Sequence, residues 1–239
     1  MIKWSGLLCL VILGMQSLFG ELPNVFYGKC YDKKGKLIVE EKHEVFKDNG
    51  KVVKIRTLYF PPESSDAFAY AESYFKGDDY LPNFYFHRKE DDYVSRSVKL
   101  GKTDVVLLRK GTSQDYYFEK NYKIEDDMVV GHGFYFYMFH FLDELLSKSS
   151  EKVPVDFLIP NKLSKYHFLM SAAKDSDNPD IAVLTLRTKN ILGRMFLHRI
   201  ILKVDLKKRH LLSYEGPNTF FYGAEQTPFV KIQYSDQKF

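Results

Sequence analysis

The sequence predicts a mainly β, α+β protein: a curved antiparallel sheet, or an open barrel or sandwich, with one principal buried helix near 133–147. Three observations predict it. From Val25 onward, short β-type runs are broken by turn residues about every 8 to 12 positions, the spacing of antiparallel sheets. Asp48-Asn49-Gly50 is a strong hairpin signal, because Asn-Gly accepts the positive φ angles of a type I′ turn. One stretch, Gly133 to Ser147, breaks the strand pattern with apolar residues over most of a helical wheel.

In order along the chain, Val25 to Tyr31 is a strand ending at Asp32-Lys33-Lys34-Gly35. Leu37 to Phe46 alternates, with Leu37, Val39, Glu41, His43 and Val45 on one side and mostly charged residues on the other. Val52 to Phe60 is its return strand, closed by Pro61-Pro62. Ser64 to Tyr74 reads two ways: a short helix capped by Ser65-Asp66 and carrying Phe68, Tyr70 and Tyr74, or a loop running into a strand. Phe84 to Arg88, Tyr93 to Leu100, Thr103 to Arg109 and Tyr116 to Ile124 continue a meander, with turns at Gly101-Lys102 and Gly111-Thr112. In the helix, Tyr137, His140, Glu144 and Ser147 line up as a narrow polar stripe. So apolar a helix must be buried, inside the concave side of a curved sheet or over one open face. Strands resume at Val153 to Ile159, Leu163 to Ala173, Ile181 to Thr188, Arg199 to Val204, Leu211 to Glu215 and Phe229 to Tyr234, with Asp205 to Arg209 as a hairpin loop.

Residues 1–20 have the layout of a secretory signal peptide: Lys3, the apolar run Leu7 to Gly14, and a small-residue cleavage site at Ser17-Leu18-Phe19-Gly20 before Glu21. The run falls well short of the roughly 20 residues that span a bilayer, so removal is expected and the mature chain has no transmembrane segment. Residues 21–239 are expected to form one β domain in an exported, periplasmic protein, with extracellular release as the alternative. The absence of any Asn-x-Ser/Thr acceptor fits a bacterial envelope. The chain has 35 basic and 31 acidic residues; the leader holds only Lys3, so 34 against 31 remain, a net +3. That is too little to imply nucleic acid or anionic lipid as a partner. With Cys9 in the leader, Cys30 is the only mature thiol, so no intramolecular disulfide forms and burial is its expected fate. Cys9 comes too early and Cys30 too late for lipidation.

Gly131-His132-Gly133-Phe134, Leu142-Asp143-Glu144-Leu145-Leu146, Val155 to Pro160, Leu163 to Phe168, Val204-Asp205-Leu206 and Leu211 to Asn218 together resemble a bacterial envelope family of unknown function. The resemblance is clear over the second half and loose over the first, and it implies no catalytic residue. More distantly, curved strands with a helix on the concave side resemble the periplasmic lipoprotein carriers, an architectural likeness that implies an acyl-binding hollow.

His140 and Glu144, one helical turn apart, would make two ligands of a metal site with His132, Asp143 or His167 as a third; the plainer reading is a hydrogen-bonded or solvated stripe. The acid pairs Asp78-Asp79, Asp91-Asp92 and Asp126-Asp127 sit beside turns, where Asp bonds locally. No nucleophile elbow, Ser-x-x-Lys, cysteine-protease signature or phosphate loop occurs, and no cofactor is implied. An enzyme would need residues converging from distant strands. The expected role is therefore binding: an apolar or lipid-like envelope component held between sheet and helix, with Phe134, Phe136, Met138, Phe139 and Phe141 as candidate wall residues. The alternatives are a structural module whose sheet edges engage an envelope protein, and a hydrolase or metalloenzyme with a dispersed site.

Overall fold

The computed structural model describes residues 22–77, 80–110, 117–148, 150–189, 199–218 and 229–239. Its strands are β1 (Val25–Tyr31), β2 (Leu37–Asp48), β3 (Lys51–Phe60), β4 (Ala69–Tyr74), β5 (Asn83–Arg88), β6 (Tyr93–Leu100), β7 (Asp104–Lys110), β8 (Tyr117–Lys123) and β9 (Met128–Val130). The helix α1 (Gly133–Ser147) follows, then β10 (Val153–Ile159), a 3₁₀ turn (Pro160–Lys162), β11 (Ser164–Lys174), β12 (Ile181–Thr188), β13 (Ile200–Asp205), β14 (His210–Pro217) and β15 (Phe229–Ser235). The fold is mostly β, as the alternation predicts. The leader pattern and Asp78-Asp79 lie outside the described residues.

Among the described residues all fifteen strands belong to one sheet, in the order β8-β7-β6-β5-β4-β3-β2-β1-β15-β14-β13-β12-β11-β10-β9. Two meanders, β1 to β8 and β10 to β15, are thus joined along the pairing of β1 with β15, where Cys30 faces Ile232. Every neighbour pair is antiparallel except β9 with β10, which are parallel. The sequence reading did not foresee this pair, and its cause is α1: a helix between two strands returns the chain to the same end of the sheet. The β2–β3 turn has Asn49 at φ 49° and Gly50 at φ 79°, the pair of positive angles that the Asn-Gly step favours.

The sheet curls around the helix. His132, at the N-terminus of α1, bonds Thr57 on β3 and Ser73 on β4, while Leu142 belongs to a buried cluster with Met170 on β11, Leu184 on β12 and Leu202 on β13. In a flat sheet β4 and β11 would lie about 38 Å apart, at roughly 4.8 Å per strand, whereas 15 residues of helix span only about 22 Å. One helix can touch both only if the sheet folds over it. The roll continues until β7 meets the other end: Leu107 packs with Met128 and Leu158. There Arg109 donates to the Asn161 carbonyl at 3.2 Å, and Tyr122 to that of Leu163 at 3.0 Å. β8 and β9 do not pair with each other, so the sheet is curved but not closed.

α1 buries Tyr137, Met138, Phe139, Leu142 and Leu145 against the sheet and exposes His140, Asp143, Glu144 and Ser147. Except for Tyr137, the polar stripe therefore faces outward, and the helix lies over one face rather than being enclosed all round. Tyr137 is buried because its hydroxyl finds the Pro154 carbonyl at 2.5 Å. No helix among the described residues is long and apolar enough to cross a membrane.

Candidate functional site

Strand register assembles the site. His43, Thr57, Ala71, Phe86 and Ser95 stand opposite one another across β2 to β6. In the neighbouring row Tyr234, Gly28, Glu41 and Tyr59 run across β15, β1, β2 and β3. Because side chains alternate, both rows face the inner side of the sheet. They form the floor of a cavity of about 240 Å³. The opposite wall comes from Phe157 to Asn161, at the end of β10 and in the turn after it, with Phe84, Gly131 and His132 between the two.

Two glycines make the arrangement possible. A Cβ on Gly28 would stand 2.9 Å from Glu41 Oε2, so any larger residue there would displace the carboxylate from its present position. Gly131, at φ 51°, is in the left-handed region, and a Cβ there would meet the Phe84 ring at 2.4 Å.

A chain of polar groups runs through this floor. His43 Nε2 lies 3.0 Å from Glu41 Oε2, and His43 Nδ1 lies 2.8 Å from Thr57 Oγ1. Thr57 Oγ1 lies 2.8 Å from His132 Nε2, and His132 Nδ1 lies 2.8 Å from Ser73 Oγ. With Glu41 ionised and both imidazoles neutral, one assignment satisfies every link. Ser73 O–H donates to His132 Nδ1, His132 Nε2–H to Thr57, Thr57 O–H to His43 Nδ1, and His43 Nε2–H to Glu41. The His132 backbone N–H also reaches Ser73 Oγ at 3.4 Å. Phe26 stacks on His43 with ring centroids 4.2 Å apart, fixing the imidazole plane.

Burial, with the nearby His43, pushes the His132 imidazole down to about 3, so it is neutral at physiological pH. Burial raises the Cys30 thiol and the Tyr59 and Tyr234 phenols, and in each case the Glu41 charge adds to the rise. Thr57 is fully buried and its hydroxyl is held between two imidazoles, so it cannot act as a nucleophile without breaking the chain. His43 is Glu41's hydrogen-bond partner among the described residues; no described group bonds Glu41 Oε1.

The five helix residues nominated from the sequence do not line this cavity. Met138 and Phe139 are buried in the core. Phe136 packs edge-on to Phe75 at 5.0 Å, and Phe141 lies 4.9 Å from Tyr137. Phe134 comes nearest, backing the wall residue Phe157 at 4.7 Å. The metal candidates do not converge: His140 is exposed beside Phe141, Glu144 pairs with Lys148 at 2.9 Å, His132 belongs to the polar chain, and Asp143 pairs with Arg209 at 3.0 Å. Glu125, Asp127 and Asp156 do cluster, but Lys165 sits between Glu125 at 2.6 Å and Asp156 at 3.0 Å, with His167 on Asp156 at 2.6 Å. The Lys165 ammonium already occupies the space between two of the three carboxylates. Asp92 is likewise held by His87 and Lys110, and Asp91 by Arg88.

The sequence reading missed the floor. Its one legible sign is on β2, where Glu41 and His43 share a face with Val39 and Val45, two polar residues among buried apolar ones.

No protein-family model matches the chain, and no curated protein matches it. Among solved structures, a DUF1329 family protein from Desulfovibrio piger aligns over 89% of this chain and 84% of that chain, at 10% identity and a TM-score of 0.28. A likeness of that strength carries no argument about this chain.

Proposed function

We propose that this chain is an exported, non-catalytic protein that binds a small apolar or amphipathic molecule between the inner face of its sheet and the segment around the start of α1. The observation that carries the reading is the cavity: rings and aliphatic side chains on its walls, and a polar floor whose groups are largely satisfied within the protein. Its 240 Å³ exceeds the ~150 Å³ that accommodates a benzene-sized molecule in a dry protein interior. The four helix phenylalanines and Met138 then act behind the wall, Phe134 through Phe157 and the rest by seating α1 on the sheet. Export rests on the leader pattern, and the mature protein should begin at Glu21.

Native mass spectrometry and solvent extraction of protein purified from its own compartment test the reading. A co-purifying small molecule is expected, and it should be lost in Ala71→Leu, which adds a bulky side chain to the floor. Empty wild-type protein that also fails to take up an apolar fluorescent probe would overturn the proposal. A second reading, docking of an envelope protein strand, is favoured by the exposed edge strand β8, and co-purification of a protein with wild type but not with a β8 proline variant would support it.

A further inference from the structure

We infer that the molecule held in this cavity carries a protonated amine, which docks on Glu41 with its apolar body against Phe84, Phe86, Phe157 and Leu158. The inference rests on the binding reading above and adds the chemistry of the head group. Glu41 is the one carboxylate in the lining, and no lysine or arginine lines the cavity among the described residues. Its side chain is 3% exposed. One oxygen accepts from His43, and Oε1 accepts from no described group. A carboxylate withdrawn from water and left short of donors is costly unless a cation or further donors reach it.

The surroundings are also those of a cation. Tyr59 and Tyr234 flank Glu41 in its row, and Phe86 lies in the next, all lining the cavity. Ring faces attract an ammonium, most strongly where water is excluded. An ammonium brings three N–H donors and a positive charge to Oε1; an alcohol brings one donor and no charge; a carboxylate brings a like charge. The cavity, at about 240 Å³, exceeds the ~150 Å³ that holds a benzene-sized molecule, so a six-carbon chain with a polar head is a suitable probe.

Calorimetric titration of the full mature protein at neutral pH with hexylamine, hexan-1-ol and hexanoate decides the point. Hexylamine is expected to bind more than about tenfold tighter than hexanoate, with hexanol between, and Glu41→Gln should reduce that preference to about threefold or less. Hexanoate binding as tightly as hexylamine, or a preference that survives in Glu41→Gln, would overturn the amine assignment and leave the cavity reading standing. Failure of all three to bind would overturn the cavity reading itself. If Glu41→Gln does not fold, judged by its circular dichroism, the wild-type ratio alone decides.

Discussion

Thr57→Val removes one hydroxyl and keeps the shape of the side chain, so its cost isolates the polar chain from packing. The hydroxyl makes two contacts of 2.8 Å, accepting from His132 and donating to His43, and Thr57 is fully buried. Each neutral hydrogen bond contributes about 1 kcal/mol net, and each buried nitrogen left without a partner costs about 1–3 kcal/mol. With two nitrogens stranded and part of that cost relieved by water entering the adjoining cavity, the expected loss is about 3 kcal/mol. At a urea m-value of about 3 kcal/mol/M for a chain of this size, the midpoint should fall by about 1 M with m unchanged. Thr57→Ser supplies the control: it keeps both bonds, loses one buried methyl, and should cost only about 1 kcal/mol. If Thr57→Val moved the midpoint by less than about 0.2 M, or cost less than Thr57→Ser, the polar chain would not be stabilising the fold.

Stability should fall on acidification. The His132 imidazole sits near 3 in the folded protein and near 6.5 when unfolded, so between those values the unfolded chain binds the extra proton. The contribution is complete above pH ~6.5 and about 3 kcal/mol of it is gone near pH 4.5. Burial lowers His210 too, in the same direction, so the His132 share is the difference in slope between wild type and His132→Gln in urea titrations across this range. Leu142→Ala, at a fully buried position facing β11 to β13, should cost about 2–5 kcal/mol; Leu100→Ala, 51% exposed, should stay within about 0.5 kcal/mol in the same thermal or urea assay. Cys30 should resist thiol reagents in native protein and react fully in denaturant, since it is buried and its thiol is pushed up by burial and by Glu41.

The hairpins and the helix were legible because each announces itself locally: an Asn-Gly step, an alternating run, a wheel of rings and leucines. β4 was not, and its composition explains why. Its inward residues are small, Ala69, Ala71 and Ser73, while the large ones, Tyr70, Glu72 and Tyr74, point the other way, so the hydrophobic signal is inverted. The small residues are there for a reason: Ala71 leaves the cavity its depth. β9 has three residues, too few for alternation to show. The site was legible only as a pair. Glu41 and His43 are two residues apart on one strand, but Thr57 is 14 positions from His43, and His132 is 75 from Thr57. No local pattern links them; they meet because the sheet rolls, and the roll is set by the packing of α1.

The join between β1 and β15 shapes how this protein must be made. The first strand can complete its hydrogen bonds only when the last one arrives, so one of the central pairings of the sheet is also among the latest to form. Until then the leading half of the chain carries an open edge at Val25–Tyr31, able to pair with the wrong neighbour. A truncation before Phe229 would not trim the molecule at its margin. It would cut the sheet at the middle and leave two aggregation-prone halves.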